Sequence, residues 1–396
     1  MAQSRRSRAR VGIVGIAHTP FGKLPGETVE SLVERVTAEA LADAGLEPGQ
    51  VDEVILGHYN GGLVRLAFGS TLAIGSGGPT SGLAGIPMSR VENAGASGAA
   101  AVHQGIRAVL SGLAETVLVV GVEKMTHAGQ VEVNRALAGI DPRLARQRTV
   151  QRFASLAASL TRDYAARFDA DDWLPGALAK ISAKNHCNAA VNPWAHRRAV
   201  TTPEFCGTTS PGNPIVVAPL RRSDCSPVSD GAAAIVLRRD PANPLATITG
   251  YACTSEGMLT PDRDVLALQA GREAAWQALS MAKVKLERLS LIELHDSFSI
   301  LELLGYEMLG LVGYGQARRA VDGGWTTKDG RLPVNPSGGL LARGHPLGAS
   351  AVSAHVMVAL QVAGQAGAMQ VPHASHALVH SMGGFGVVNY ASLVSG

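Results

Sequence analysis

The chain has 396 residues, of which 46% are hydrophobic and 17% are charged, and its formal net charge is +3. This composition is typical of a globular protein with a large core, and the near balance of charges gives no indication of a nucleic-acid partner. The sequence has no apolar run of the roughly 20 residues that a membrane helix needs, and no signal-peptide core follows the arginines near its start. A chain of this length favours two domains or two fused halves.

Four cysteines are present, and their spacing does not match a metal site: Cys187, Cys206, Cys225 and Cys253. Nothing in the sequence requires them to pair. We therefore expect a cytoplasmic protein with reduced thiols and no bound metal.

The first part of the chain alternates predicted strands and helices. Residues 10–22 and 51–61 have the pattern of buried strands, whereas residues 28–45 and 97–110 have the pattern of amphipathic helices. Residues 115–125 are apolar enough for a strand that is buried on both faces. This alternation predicts a parallel sheet in an α/β protein.

The composition changes after this region. Residues 126–215 are richer in Arg, His, Trp and Asn and have weaker strand patterns, which predicts a largely helical insertion. Strand-like sequence resumes at 231–240. We therefore expect a first half made of residues 1–125 and 216–245, an inserted loop domain over residues 126–215, and a second half over residues 246–396.

The second half repeats part of the first. Two pairs of segments align without gaps and in the same order, namely 40–59 with 278–297 and 93–110 with 343–360. Together they favour a duplicated α/β unit. The second alignment places Gly95 opposite His345, with each residue at the start of a helix. Because helix N-termini favour negative charge, two of them facing each other predict an active site.

Five blocks of sequence, in this order, resemble the motifs of thiolases. They are "VENAGASGAAAVHQGIRAVLSGLAETVLVVGVEKMTH", "CSPVSDGAAAIVL", "ELHDSFSILELLGYEMLGL", "NPSGGLLARGHPLGAS" and "HSMGGFGVVNY". The branch that they resemble most is that of the sterol-carrier-protein-type thiolases and the bacterial acetyl-CoA acetyltransferases similar to them. The resemblance implies a five-layered αβαβα fold of two similar halves with a loop domain between them.

The resemblance also implies what the protein binds. The expected substrate is an acyl-CoA, so coenzyme A enters as part of the substrate and no separate cofactor is expected. A homodimer or tetramer is implied. Members of this branch often work with a small zinc-ribbon/OB-fold partner protein, so a complex with such a partner is expected too.

The thiolase site is incomplete in this chain. In the family, a cysteine at the position of Gly95 attacks the thioester. His345 and His295 match the oxyanion hole that stabilises the enolate, and the backbone N–H groups of Gly95 and Gly383 match the second hole. The two usual positions of the cysteine that moves a proton on the α-carbon are occupied by Ser297 and Ser381.

Three explanations of this loss remain open: an engineered variant of a thiolase, a non-catalytic acyl-CoA-binding subunit, or an enzyme that makes or breaks a carbon–carbon bond without an acyl-enzyme. Because the nucleophile and both usual base cysteines are absent, natural divergence is favoured. Steroid side-chain aldolases similar to this branch carry glycine at the nucleophile position. They also replace the "GHP" region, which this chain keeps, so a non-covalent Claisen-type condensation stays open beside an aldol or retro-aldol reaction.

Further residues are candidates for the substrate pocket. His380 is a candidate reserve base, and His58 is a candidate for the pocket wall. Arg143 and Arg148 are candidates for contacts with the CoA phosphates, with a solvated helical face as the alternative. Ser97 is close to Gly95, but we interpret it as structural.

Overall fold

The computed structural model describes residues 9–59, 63, 78–140, 152–258 and 263–396. The strands are β1 (Val11–His18), β2 (Glu53–Gly57), β3 (Met88–Val91), β4 (Thr116–Glu123), β5 (Ile215–Val217), β6 (Leu220–Arg221), β7 (Gly231–Arg239), β8 (Ala246–Ser255), β9 (Leu291–Glu293), β10 (His376–Gly383) and β11 (Val388–Ser395). The α-helices are α1 (Val29–Asp43), α2 (Ser97–Ser111), α3 (Gln130–Ala138), α4 (Arg152–Phe168), α5 (Leu174–Ala190), α6 (Pro203–Gly207), α7 (Gln269–Ala282), α8 (Ser299–Met308), α9 (Ala317–Asp322), α10 (Gly339–Arg343) and α11 (Leu347–Val362).

Nine of the described strands form one sheet in the order β3-β2-β4-β7-β1-β8-β11-β10-β9. Strand β2 is parallel to β3 and β4, and β9 is parallel to β10, whereas the other neighbours are antiparallel. The prediction of a parallel sheet is therefore wrong in part. The physical reason is clearest at β10 and β11, since a connection as short as the one between them can join only antiparallel neighbours.

The sheet contains the same arrangement twice. In the order β2-β4-β7-β1 the first pair is parallel and the next two pairs are antiparallel, and the order β9-β10-β11-β8 repeats this pattern. The two units meet where Val11–Ile13 of β1 pair with β8. The duplication that the sequence predicts is confirmed.

Helices cover both outer faces of the two units and fill the space between them. Helix α1 packs on the first unit in a core that includes Leu32, while α2 and α11 share a second core, around Val356, with strands of both units. Helices α7 and α8 cover the second unit in a core that includes Leu301. Every residue from Leu347 to Gln361 is buried, as a helix packed between the two units of the sheet requires. These are the five layers of the expected αβαβα fold.

The region predicted as an insertion is helical where it is described. Helices α3 to α6 precede β5, and α4 and α5 pack against the core of the second unit, where Tyr164 and Leu178 are buried. The domain boundaries given above remain a prediction. In the described part of the chain, no helix is long and apolar enough to cross a membrane.

Candidate active site

A tight turn over residues 93–96, called the elbow below, precedes helix α2. Ala94 has a left-handed φ of 51°, which is uncommon for a residue with a side chain. The Ser97 hydroxyl accepts a hydrogen bond from the Asn93 N–H at 2.9 Å and donates one to the Ala94 carbonyl at 2.7 Å. Ser97 therefore shapes the elbow, in agreement with the structural role expected for it.

The elbow of α2 faces the start of α11. A Cβ atom added to Gly98 would lie 2.5 Å from the carbonyl oxygen of Gly348, so the first turns of the two helices touch through their backbones. Gly95 and His345, which precede these turns, line the same cavity. The juxtaposition predicted from the internal alignment is thus present, and the positive ends of two helix dipoles point toward one site.

The cavity has a volume of about 150 Å³. Four of the predicted site residues line it, namely Gly95, His295, Ser297 and His345. Much of the remaining wall is apolar and includes three phenylalanine rings: Phe153 and Phe298 pack on Phe385 with ring centroids 4.9 and 6.0 Å away. Such a wall suits the acyl part of a substrate more than its charged part.

His295 follows strand β9 and stands beside the elbow. Its Nδ1 accepts a hydrogen bond from the Met382 N–H at 3.4 Å. A Cβ atom added to Gly95 would lie 3.1 Å from His295 Cε1 and 3.5 Å from His295 Nε2. The imidazole therefore contacts the position where a side chain of residue 95 would begin.

His345 is held by the first turn of α11. Its Nδ1 lies 2.7 Å from the Ser350 hydroxyl oxygen, and its backbone N–H donates to the Ser229 hydroxyl at 3.3 Å. The rings of His345 and His295 are 5.3 Å apart and nearly perpendicular. Two ring edges, both from the second half of the chain, are thereby presented to one cavity.

Both imidazoles are neutral at physiological pH. Burial, together with the nearby Arg343 guanidinium, lowers the pKa of His345 to about 3. Burial, together with the neighbouring His345 and His380, holds the pKa of His295 well below its usual range. A neutral imidazole has one N–H donor and one lone pair, so the position of each proton decides what each ring can do.

Buried ionisable side chains that were not predicted from the sequence hold the loops that carry the two histidines. Asp296 accepts hydrogen bonds from the N–H groups of Leu340 and Leu341 in α10, and burial, with the nearby Glu302, raises its pKa to about 8. Glu293 binds Arg343 at 3.1 Å. The sequence feature that could have indicated these residues is the presence of charged side chains within otherwise apolar motifs.

Asp230 was also missed by sequence reasoning. Its carboxylate accepts hydrogen bonds from Lys124 Nζ at 2.6 Å and from the N–H groups of Met125 and Thr126 at 2.8 Å each. Met125 lines the cavity. Asp230 therefore ties the start of β7 to the segment after β4, which forms one side of the cavity.

The cavity wall contains a thiol that the sequence did not place there. Cys225 lines the cavity, and burial raises its pKa to about 12. Because the thiolate is the nucleophilic form, this cysteine is a poor nucleophile at neutral pH. Within the described part of the chain, no cluster of three or more His, Cys, Asp or Glu side chains could hold a metal ion.

Two further predicted residues, Gly383 and Ser381, are not among the described residues of the cavity wall. A Cβ atom on Gly383 would lie 2.5 Å from the Asn93 carbonyl oxygen, so the end of β10 packs directly on the elbow. Ser381 is buried within β10. The neighbours Met382 and Gly384 line the cavity instead.

The two histidines predicted for the pocket are both buried. His380 precedes Met382 on the same face of β10 and donates through Nε2 to Asn389 Oδ1 at 3.1 Å, beneath α7. His58 is buried with its Nε2 3.3 Å from Glu123. Neither residue is among the described residues of the cavity wall. His380 packs beneath α7, and His58 packs beside the first turn of α11. Arg143 and Arg148 lie outside the described residues.

Known protein families match both halves of the chain. The model of the thiolase N-terminal domain matches residues 11–200, and that of the thiolase C-terminal domain-like family matches residues 251–395. The acetyl-CoA acetyltransferase of Methanothermobacter thermautotrophicus is 36% identical over 384 residues, which cover 95% of this chain and 97% of that protein. The chain belongs to the thiolase superfamily.

Two further similarities place this thiolase-family protein more closely. Sterol carrier protein 2 of Gallus gallus is 30% identical over 414 residues, covering 96% of this chain and 70% of that protein, which supports the sterol-carrier-protein-type branch. A chain of the Ltp2-ChsH2(DUF35) aldolase has the same fold with a TM-score of 0.79 and 23% identity, and the match covers 98% of this chain and 97% of that one. The fold and family expected from the sequence are confirmed.

Proposed function

We propose that this thiolase-family protein makes or breaks a carbon–carbon bond beside the thioester of an acyl-CoA, by an aldol or retro-aldol reaction and without an acyl-enzyme. The observation that carries the proposal is the contact between Gly95 and His295. At the position where the resemblance places a cysteine nucleophile, this chain has only a hydrogen, and an imidazole fills the space alongside it.

The alternative of a covalent step has little chemical support at this site. Attack on a thioester at neutral pH requires a thiolate or a comparably activated group. The thiol in the described wall, Cys225, has its pKa raised to about 12. The Ser97 hydroxyl already forms hydrogen bonds with the backbone of Asn93 and Ala94.

Retro-aldol cleavage needs only groups that the cavity has. A base takes the proton of the β-hydroxyl, the carbon–carbon bond breaks, and its electrons form the enolate of the CoA thioester. A preorganised donor to a developing oxyanion is typically worth about 3 to 4 kcal/mol. The imidazole of His295 and the two helix N-termini at Gly95 and His345 are placed to stabilise that negative charge.

We further propose that the protein works as a homo-oligomer and with a small DUF35-type partner. The name of the structurally similar aldolase includes such a partner, and the resemblance of the sequence motifs implies the same assembly. Size measurement of the purified protein alone and with a co-expressed DUF35 protein tests this assembly.

A second candidate function is acetyl transfer by a Claisen-type reaction, which the 36% identity to an acetyl-CoA acetyltransferase favours. The experiment that separates the two is incubation with a β-hydroxyacyl-CoA or with acetyl-CoA, followed by product analysis and intact-protein mass. We expect an aldehyde or ketone plus a shortened acyl-CoA, with no gain in protein mass. An acylated protein or cleavage that depends on free CoA would contradict the proposal, and binding without turnover would indicate a non-catalytic subunit.

A further inference from the structure

We propose that His345 is the general base of this site, that His295 is the donor to the thioester oxygen, and that Ser350 is the positioning residue that fixes the tautomer of His345. This inference deepens the proposed carbon–carbon chemistry and rests on it. It assigns different roles to two histidines that the sequence motifs place together in one oxyanion hole.

The hydrogen bonds of Ser350 decide where the proton of His345 lies. The Ser350 hydroxyl oxygen is 2.8 Å from the Pro346 carbonyl oxygen and 2.7 Å from His345 Nδ1. A carbonyl can only accept, so a hydrogen bond between these two oxygens requires the hydroxyl proton to point at Pro346. Nδ1 of His345 must then donate to the hydroxyl oxygen, and the opposite nitrogen, Nε2, carries a lone pair.

The reverse assignment has an energetic cost. If His345 carried its proton on Nε2, the Ser350 hydroxyl would donate to Nδ1. The Ser350 and Pro346 oxygens would then face each other at 2.8 Å with no proton between them. The turn of α11 therefore favours the form of His345 that accepts a proton from the substrate.

His295 has the opposite arrangement. The Met382 N–H is a donor, so Nδ1 of His295 accepts and Nε2 carries the proton. That Nε2 would lie 3.5 Å from a Cβ of residue 95, which places the N–H at the elbow. One ring edge in the cavity is thus a donor and the other is an acceptor, with the ring centroids 5.3 Å apart.

A β-hydroxyacyl thioester matches this pair, because its two oxygens are carried by carbons that are separated by one carbon. The hydroxyl proton moves to His345 Nε2, the bond between the α- and β-carbons breaks, and a carbonyl forms on the departing aldehyde or ketone. The electron pair moves to the enolate, whose oxygen accepts from His295 Nε2–H. The imidazolium of His345 then returns its proton to the α-carbon, so no further reactant is needed.

Glutamine at each position separates the two roles. A glutamine side chain keeps an N–H donor but has no basic nitrogen. We expect His345→Gln to lose about 100-fold in kcat, the lower end of the 10²- to 10⁴-fold that a general base typically contributes, because the low pKa of His345 makes it a weak base. We expect His295→Gln to lose about 10-fold. Equal losses in the two variants, or a mild loss in His345→Gln, would overturn the assignment.

Two variants of Ser350 test its positioning role while both imidazoles stay unchanged. Ser350→Ala leaves Nδ1 of His345 without its acceptor, and we expect about a 10-fold lower kcat with an unchanged KM. Ser350→Thr retains the hydroxyl and should restore the rate. An unchanged kcat in Ser350→Ala, or a failure of Ser350→Thr to restore it while both variants unfold like the parent, would contradict the proposal.

A half-reaction distinguishes failure of this inference from failure of the proposed function. Acetyl-CoA in D₂O, without a second substrate, should exchange its α-protons in the parent because His345 can remove them and His295 can hold the enolate. Exchange that persists in His295→Gln and is lost in His345→Gln supports the assignment even if no β-hydroxyacyl-CoA is cleaved. A parent that cleaves substrate while His345→Gln retains exchange refutes the assignment and leaves the proposed function standing. A parent with neither activity contradicts both.

Discussion

The imidazole of His295 stands against the hydrogen that takes the place of a side chain at Gly95. A Cβ atom at that position would lie 3.1 Å from His295 Cε1 and 3.1 Å from the Met382 carbonyl oxygen. Both distances are tighter than most real Cβ contacts, so a larger residue 95 requires a shift of the ring or of β10. The glycine and the position of His295 are therefore coupled.

Substitution of Gly95 tests this coupling. We expect Gly95→Ala to lower turnover about 10-fold, equivalent to roughly 1.4 kcal/mol, because the methyl group displaces His295 from the thioester oxygen. Gly95→Cys introduces the same Cβ and adds a thiol, which should give an acyl adduct in the intact-protein mass. Steady-state kinetics of Gly95→Ala against the parent provide the measurement. Full activity in Gly95→Ala would show that His295 moves aside without cost.

Acid should unfold the protein at a mildly low pH. Burial lowers the pKa of His18 and His345 to about 3 and that of His355 and His380 to about 4. Below pH 6.5 the unfolded chain binds protons that the native state excludes, so the free energy of unfolding falls as the pH falls toward these values. Each histidine removes about 2 kcal/mol at pH 5, a large share of a typical total of about 5 to 15 kcal/mol.

Urea denaturation at pH 7, 6 and 5 measures this loss. His355 is buried in α11 away from the described cavity wall, and its Nδ1 contacts the Ala351 carbonyl at 2.7 Å. A His355→Leu variant should lose less stability than the parent between pH 7 and pH 5. Identical pH dependences of the two proteins would refute this explanation of acid sensitivity.

The phenylalanine wall should select for apolar acyl groups. Phe153 is partly buried and packs on Phe385 and Phe298 at the cavity. We expect Phe153→Ala to raise KM about 10-fold for bulky acyl chains and to leave KM for short chains nearly unchanged, because only the bulky chains bury surface against this ring. KM values over a series of acyl-CoA substrates give the comparison. An equal change for short and bulky chains would indicate a general structural defect.

The ion pair behind His345 should be important for stability. Arg343 and Glu293 are both buried and lie 3.1 Å apart. Arg343→Met leaves a buried carboxylate without its partner, which typically costs about 3 to 5 kcal/mol. Arg318→Ala, which breaks an exposed pair with Asp322, is the control and should cost no more than about 0.5 kcal/mol. Similar losses of unfolding free energy in the two variants would contradict the prediction.

Local patterns were sufficient for much of the fold. Apolar periodicity predicted the helices around Leu32 and Ile106, and the gapless alignments predicted that the starts of α2 and α11 face each other. Strand direction was not predictable in the same way, because it depends on connection geometry and on pairing between segments far apart in the chain. Helix α11 shows a related limit, since a helix that is apolar on all sides does not indicate which layers surround it.

The same distinction between local sequence and tertiary structure applies to the candidate site. The sequence by itself determined the family, the glycine at position 95 and the histidines at 295 and 345, because motifs and the identity of a side chain are local properties. Only the tertiary structure decided that His58 and His380 are buried away from the described wall, that Cys225 lines it, and that His295 contacts Gly95. The roles proposed for the two imidazoles depend on Ser350 and on the Met382 N–H, and burial and hydrogen-bond partners exist only once the chain has folded.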